Sequence, residues 1–203
     1  MPGQAPALTD ERDLLLAYLA HQRHLVRVQV HGLDDEQARA TPTPSTLSLG
    51  GLVKHLARVE HTWIDMVEGR PRPPMSEGSV QDYMDSFRLL PGETLAGALD
   101  AWDEAARRTE SVVRSIDDLG RPVPVPRGVP WFPQDVEAWT VRWVLLHLIE
   151  EAARHLGHAD IIREALDGAT AIPLLAAVEG WPATPWVTPW RAPASPETAA
   201  PGA

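Results

Sequence analysis

Residues 143–167, WVLLHLIEEAARHLGHADIIREALD, set His147, Glu151, His155 and His158 along one stretch of proline-free, largely apolar chain. At 3.6 residues per turn these four fall within about 80° of each other around a helix axis. Glu151 and His155 stand four apart, so their side chains cover the same patch and can converge on one point. Two donors from adjacent turns and a third from a facing helix make an open three-ligand metal site. His147 and His155 are about 12 Å apart along the axis, too far to share one ion easily. The competent pairs are therefore 147/151, 151/155 and 155/158. The bland alternative is a solvated helix face that happens to carry His and Glu. Against it stands the wide apolar arc from Leu148 round to Leu146, which leaves only a narrow polar stripe. His55, bracketed by Leu52 and Val59 at the edge of another apolar face, could supply the third donor.

The elements that would position these residues are helices. A first helix fits from Thr9 or Asp10 to about His31, with Leu15, Leu19, Leu25 and Val26 on its apolar face. DDEQAR (34–39) reads as a single turn. A second long helix is capped by Ser48 and runs to Glu68, with Trp63 at helical spacing. A third fits 93–116, and Thr140 caps the fourth, which Gly168 closes. Connector 70–92 has room for a short helix at 80–89. Residues 117–139 carry five prolines and are expected to be an irregular crossover without strands. A short helix is expected at 173–179. Four long helices with long crossovers give an all-α four-helix bundle with an irregular C-terminal tail.

Composition narrows the chemistry. The chain has 203 residues, a formal net charge of −10 and no cysteine. A basic nucleic-acid surface is excluded by that charge. A disulfide framework and a cysteine nucleophile are excluded too, so any reactive thiol must arrive as a substrate. No apolar run is long enough to cross a membrane, and the start of the chain does not read as a signal peptide; a cytoplasmic monomer or homodimer is expected. The other histidines, His21, His24, His31 and His61, read as polar-face or rim residues. Of the eight tryptophans, Trp63, Trp102 and Trp143 read as core. Trp131, Trp139, Trp181, Trp186 and Trp190 read as packing staples or pocket walls.

LSLGGLVKHLARVEHTWI (47–64), RWVLLHLIEEAARHLGHADIIREALDG (142–168) and AAVEGWPATPW (176–186) together resemble the DinB-like superfamily of metal-binding bundles, in its actinobacterial mycothiol-transferase branch. With ERDLLLAYLAHQR near the start, the resemblance spans roughly residues 9–190. It implies a metal held by His55, Glu151 and His155. It leaves His147, His158 and Asp160 as residues that support the ligands or line the pocket. Glutamate at 151, where many relatives carry histidine, resembles the mycothiol-dependent maleylpyruvate isomerase variant. The implied cofactor is a divalent metal, zinc by donor type, and the implied cosubstrate is mycothiol.

The reading that follows is a metal-dependent transferase joining a small-molecule thiol to an electrophile, with the thiolate formed at the metal. A thiol-dependent isomerase or a metal-dependent hydrolase would use the same site. A non-catalytic metal-binding stress or partner-binding protein would use the metal only as a staple. Residues 1–190 are expected to form one domain. Tryptophans of 173–190 are expected to dock near the open end of the site, and 191–203 to be disordered.

Overall fold

The computed structural model describes residues 3–71 and 76–192. In chain order the elements are α1 (Glu11–Gln29), α2 (Asp35–Arg39), α3 (Leu49–Val67), α4 (Glu77–Asp85) and α5 (Leu95–Arg114). They are followed by β1 (Pro122–Pro124), β2 (Ala138–Thr140), α6 (Val141–Asp167) and α7 (Ala171–Val178). Each long helix starts at a side-chain cap. Asp10, Ser48, Thr94 and Thr140 accept from the backbone N–H groups of Asp13, Gly51, Gly97 and Trp143. Gly168 ends α6 in the left-handed conformation, with φ 74°, which only glycine adopts without strain.

Ion pairs and hydrogen bonds fix the directions of the four long helices. Glu11 meets Arg142 at 2.5 Å at one end, and Arg163 donates to the carbonyls of Gln29 and His31 at 2.8 and 2.9 Å at the other. α1 and α6 are therefore parallel. Lys54–Glu93 and Arg108–Asp65, both 2.6 Å, make α3 and α5 parallel as well. Arg27–Asp103 and Arg114–Asp13 set α1 antiparallel to α5. The result is an up-down-down-up bundle. Two parallel neighbours joined in sequence need a return path of nearly 30 Å for a 19-residue helix. The connector between α3 and α5 spans it, and α4, within its described part 76–94, rides on that path.

The core has two apolar clusters with a polar waist. One gathers Leu16, Trp63, Val113 and Leu145; the other gathers Val26, Leu52, Trp102 and Ile162. Between them lies Glu60, 2% exposed. Both its oxygens are engaged. Arg23 Nε and Trp102 Nε1 donate to one at 3.0 and 2.8 Å, and Thr109 Oγ1 donates to the other at 2.6 Å. A second Arg23 nitrogen completes a two-pronged pair. One carboxylate thus ties α1, α3 and α5 together.

Several expectations are corrected. The crossover contains a short antiparallel pair, β1 with β2, in which Val123 opposes Trp139. Its prolines hid it, because Pro122 and Pro124 tolerate only an edge strand. α4 begins three residues before the expected start, because Ser76 and Ser79 form a reciprocal capping box. α7 starts earlier than 173, with Pro173 in the first turn, where its missing N–H costs nothing. His21 is buried at 6% rather than on a polar face. Trp143 is 39% exposed rather than core.

The tail also departs from expectation. Trp181 and Trp190 pack with Leu174, Leu175 and Val28. The Trp190 ring lies 4.9 Å from the Arg163 guanidinium and 5.9 Å from the His31 ring. Trp186 is 93% exposed. Trp181 and Trp190, but not Trp186, staple the α1–α7 side of the bundle. The segment expected to be disordered, 191–203, lies outside the described residues beyond Ala192. Among the described residues no helix is long and apolar enough to cross a membrane.

Breaking a buried pair leaves an uncompensated charge, which costs about 3–5 kcal/mol, whereas one neutral hydrogen bond is worth about 1 kcal/mol. Glu60→Gln should therefore lower the unfolding free energy in urea several times more than Thr109→Val. Equal losses would mean that the Glu60 charge does not organise the waist.

Candidate metal centre

His55, Glu151 and His155 come together where α3 crosses α6 in antiparallel fashion. One donor atom from each lies within 4.8 Å of the other two. His55 is buried at 2% and His155 at 9%. His155 Nε2 stands 3.4 Å from a Glu151 oxygen. Two ligands at zinc distances of about 2.1 Å in tetrahedral array are themselves about 3.4 Å apart. The spacing thus fits a shared cation, with a small closure needed at the widest pair.

The hydrogen bonds around His55 assign its tautomer. Ser86 Oγ donates its only hydrogen to the Tyr83 carbonyl at 2.6 Å. It must then accept from His55 Nδ1–H, 3.0 Å away. His55 Nε2 is left with a free lone pair, as a metal-ligating imidazole requires. Phe87 stacks on a face of the His55 ring at 3.9 Å and 20°. This segment lies close to α3 because position 51 is glycine. The Phe87 carbonyl oxygen sits 1.9 Å from where a Cβ on Gly51 would be.

Electrostatics keep the cluster ready for a cation. Burial, followed by the charge of His155, pushes His55 down to about 4. Hydrogen bonding from His155 outweighs burial and holds the Glu151 carboxyl below its ordinary range. Burial, followed by the Glu151 charge, raises the Tyr83 phenol. Near neutral pH the site therefore presents a neutral imidazole at 55 beside a carboxylate at 151.

The other sequence candidates separate. His147 Nε2 is 3.8 Å from the second Glu151 oxygen, and its ring stacks on Trp143 at 5.1 Å and 11°. The His158 ring is 5.6 Å from that of His155, and its Nδ1 is buried without a hydrogen-bond partner among the described residues. Asp160 stands apart from the three clustered donors, half-buried, its carboxyl raised by burial and then by Glu164. His24 turns away to Glu179, 2.8 Å from it. The donors open at one end into a cavity of about 650 Å³ that His55, His147 and Glu151 help to line. Its walls carry Trp63, Tyr83, Trp131, Phe132, Trp139 and Trp143.

Residues 14–168 match the family model for mycothiol-S-transferase. The chain belongs to the mycothiol-S-transferase family. No curated protein matches it in sequence. A solved structure of a conserved protein from Enterococcus faecalis shares the fold with a TM-score of 0.61 at 17% identity. The alignment covers 80% of this chain and all of that one.

Two contributors were missed in the sequence of this family member. Ser86 and Tyr83 belong to a connector read only as a possible short helix, and nothing local ties them to His55, which is 31 residues before Ser86. Trp131 and Trp139 were legible as candidate walls, whereas the tail tryptophans were not separable from them.

His55 titrates near 4 when folded and near 6.5 when unfolded. Between those values the unfolded chain binds more protons, so stability is full above 6.5 and is lost as pH falls towards 4. Buried His21 and half-buried His24, lowered chiefly by burial, act in the same direction, and Glu151, held low by His155, adds its loss below 4.5. The metal-free protein should show a urea midpoint that declines steadily over this window. His55→Gln should flatten part of that decline; an identical pH slope would refute a buried neutral His55.

Proposed function

We propose that this member of the mycothiol-S-transferase family is a cytoplasmic, metal-dependent transferase that joins mycothiol to an electrophilic substrate. One observation carries the reading: His55, Glu151 and His155 converge at the end of a large cavity rich in aromatic side chains, in a chain without cysteine. A divalent cation held by these three side chains, zinc by donor type, would lower the pKa of a thiol reaching it.

The chain's own residues then do the remaining work. Ser86 holds the His55 ring with Nε2 facing the site. Glu151 contributes negative charge, which offsets that of the cation and leaves the donor set open on the cavity side. The aromatic walls offer few hydrogen-bonding groups, so the sulfur nucleophile is less solvated there than in bulk water and the electrophile is held against it. A cytoplasmic setting keeps small thiols reduced. The family match supports mycothiol as the thiol. A hydrolase using the same three donors would keep water where the thiol binds.

Metal content should fall in Glu151→Gln and vanish in His155→Ala, with the helical circular dichroism of both variants unchanged. Ser86→Ala should weaken metal affinity by about ten- to a hundred-fold, as loss of an outer partner of a ligating histidine does. Mycothiol added to cobalt-substituted protein should produce a sulfur-to-cobalt charge-transfer band. Full metal content in both ligand variants would remove the ligand assignment. A cobalt spectrum indifferent to mycothiol would remove the thiol reading.

A further inference from the structure

The cavity is bounded by a continuous aromatic belt. From α4 the rings run Tyr83 to Trp131 at 6.1 Å, Trp131 to Phe132 at 6.2 Å, and Phe132 to Trp139 at 5.0 Å. Trp139, Trp143 and His147 continue as near-parallel rings 5.0 and 5.1 Å apart, inclined by only 12° and 11°. Trp63 crosses this run at 5.0, 5.4 and 4.6 Å. Both ends of the belt abut the clustered donors. The Tyr83 ring is 6.0 Å from His55, and His147 is 3.8 Å from Glu151.

Three belt members are unusually open for their size: Tyr83 at 44%, Trp131 at 56% and Trp143 at 39%. Large aromatic surface left uncovered inside a concavity is surface that a ligand can bury. Two of the lining charges, Arg70 and Asp65, are held in ion pairs, and a third, Arg58, is tied to backbone. Arg70 pairs with Glu68 at 2.7 Å, Arg108 with Asp65 at 2.6 Å, and Arg58 donates to the Asp82 carbonyl at 2.5 Å. None of the buried polar atoms lacking a partner among the described residues belongs to a lining residue. A carboxylate substrate or a hydroxyl-rich molecule would lose its water on the belt and find no buried group waiting for it.

We propose that the aromatic belt is the subsite for the second substrate, a planar, uncharged aromatic electrophile whose reactive edge lies at the His55–Glu151–His155 cluster. This rests on the transferase reading. It assigns the belt to the electrophile, while the polar thiol reaches the donors through the non-aromatic part of the same cavity, which Arg58, Asp65 and Asp82 help to line. With 1-chloro-2,4-dinitrobenzene the step balances without an oxidant. The sulfur attacks the chlorine-bearing carbon, the C–S bond forms, the C–Cl bond breaks, and chloride leaves with the bonding pair. The thiol proton goes to solvent.

Two measurements on the metal-loaded protein test the assignment. Equilibrium dialysis with unreactive 1,3-dinitrobenzene needs no turnover. Its binding should weaken about five-fold or more in Trp131→Ala and in Tyr83→Ala, a loss typical of one stacking partner, and stay unchanged in Trp186→Ala. In turnover with mycothiol, the ratio of kcat/KM for 1-chloro-2,4-dinitrobenzene to that for iodoacetamide should fall by a similar factor in the two belt variants. Unchanged dinitrobenzene binding in both variants, or displacement of dinitrobenzene by mycothiol alone, overturns the subsite. So does an equal loss with both electrophiles. Absence of turnover with any electrophile refutes the transferase reading instead, and dialysis still decides whether the belt binds a flat ring.

Discussion

The Glu60 carboxylate is the point on which this bundle turns. A charge buried at the waist is tolerable only when its oxygens are satisfied, and here the partners come from two other helices: Arg23 on α1, and Trp102 and Thr109 on α5. Those bonds fix the rotation of α3 about its own axis. His55 lies five residues earlier, about 140° round the helix, so locking Glu60 towards α1 and α5 turns His55 towards α6. An apolar residue at position 60 could bury as well but would leave the rotation of α3 set by packing alone. The polar waist thus specifies direction where apolar clusters specify only contact.

The second constraint is topological. Because α3 and α5 are parallel, the chain between them must travel back along the bundle, and that return path lies over the α3–α6 seam. It delivers Ser86 to His55 and Tyr83 to the cavity wall. The other crossover, tied down by the β1–β2 pair, delivers Trp131 and Phe132 from the opposite side. A site assembled on helices and roofed by crossovers combines rigid donors with an adaptable cover. The donors sit on regular backbone, where precise spacing is easy to hold. The cover is made of side chains that can differ without disturbing the bundle.

Much of this is legible in the sequence, and the reasons are local ones. Thr140 and Gly168 announce the ends of α6 because capping chemistry is confined to a few residues. Glu151 and His155 announce themselves because four residues is one helical turn. The short strands were hidden because prolines dominate their composition, and only pairing across the crossover reveals them. Ser86 was hidden because its role is a contact over 31 residues, with no period or motif attached. Trp143 was misread as core because helical spacing reports which face a residue occupies, not whether another element covers that face. The tail tryptophans were assigned to the wrong side for the same reason: their apolar area favours burial somewhere but names no partner.

Gly51 carries a consequence for comparing sequences. Its missing side chain lets the backbone of Phe87 touch the backbone of α3, one turn before His55. Even a methyl group there would occupy the place of a carbonyl oxygen, so the neighbouring crossover would have to follow another route. Ser86 would then no longer reach the imidazole. A residue with no functional group of its own thereby governs how a distant hydroxyl steers a donor atom. In chains of this architecture, glycine four positions ahead of the α3 histidine is a legible marker of a crossover clasped to the helix. Any bulkier residue at that place signals a histidine oriented by some other means.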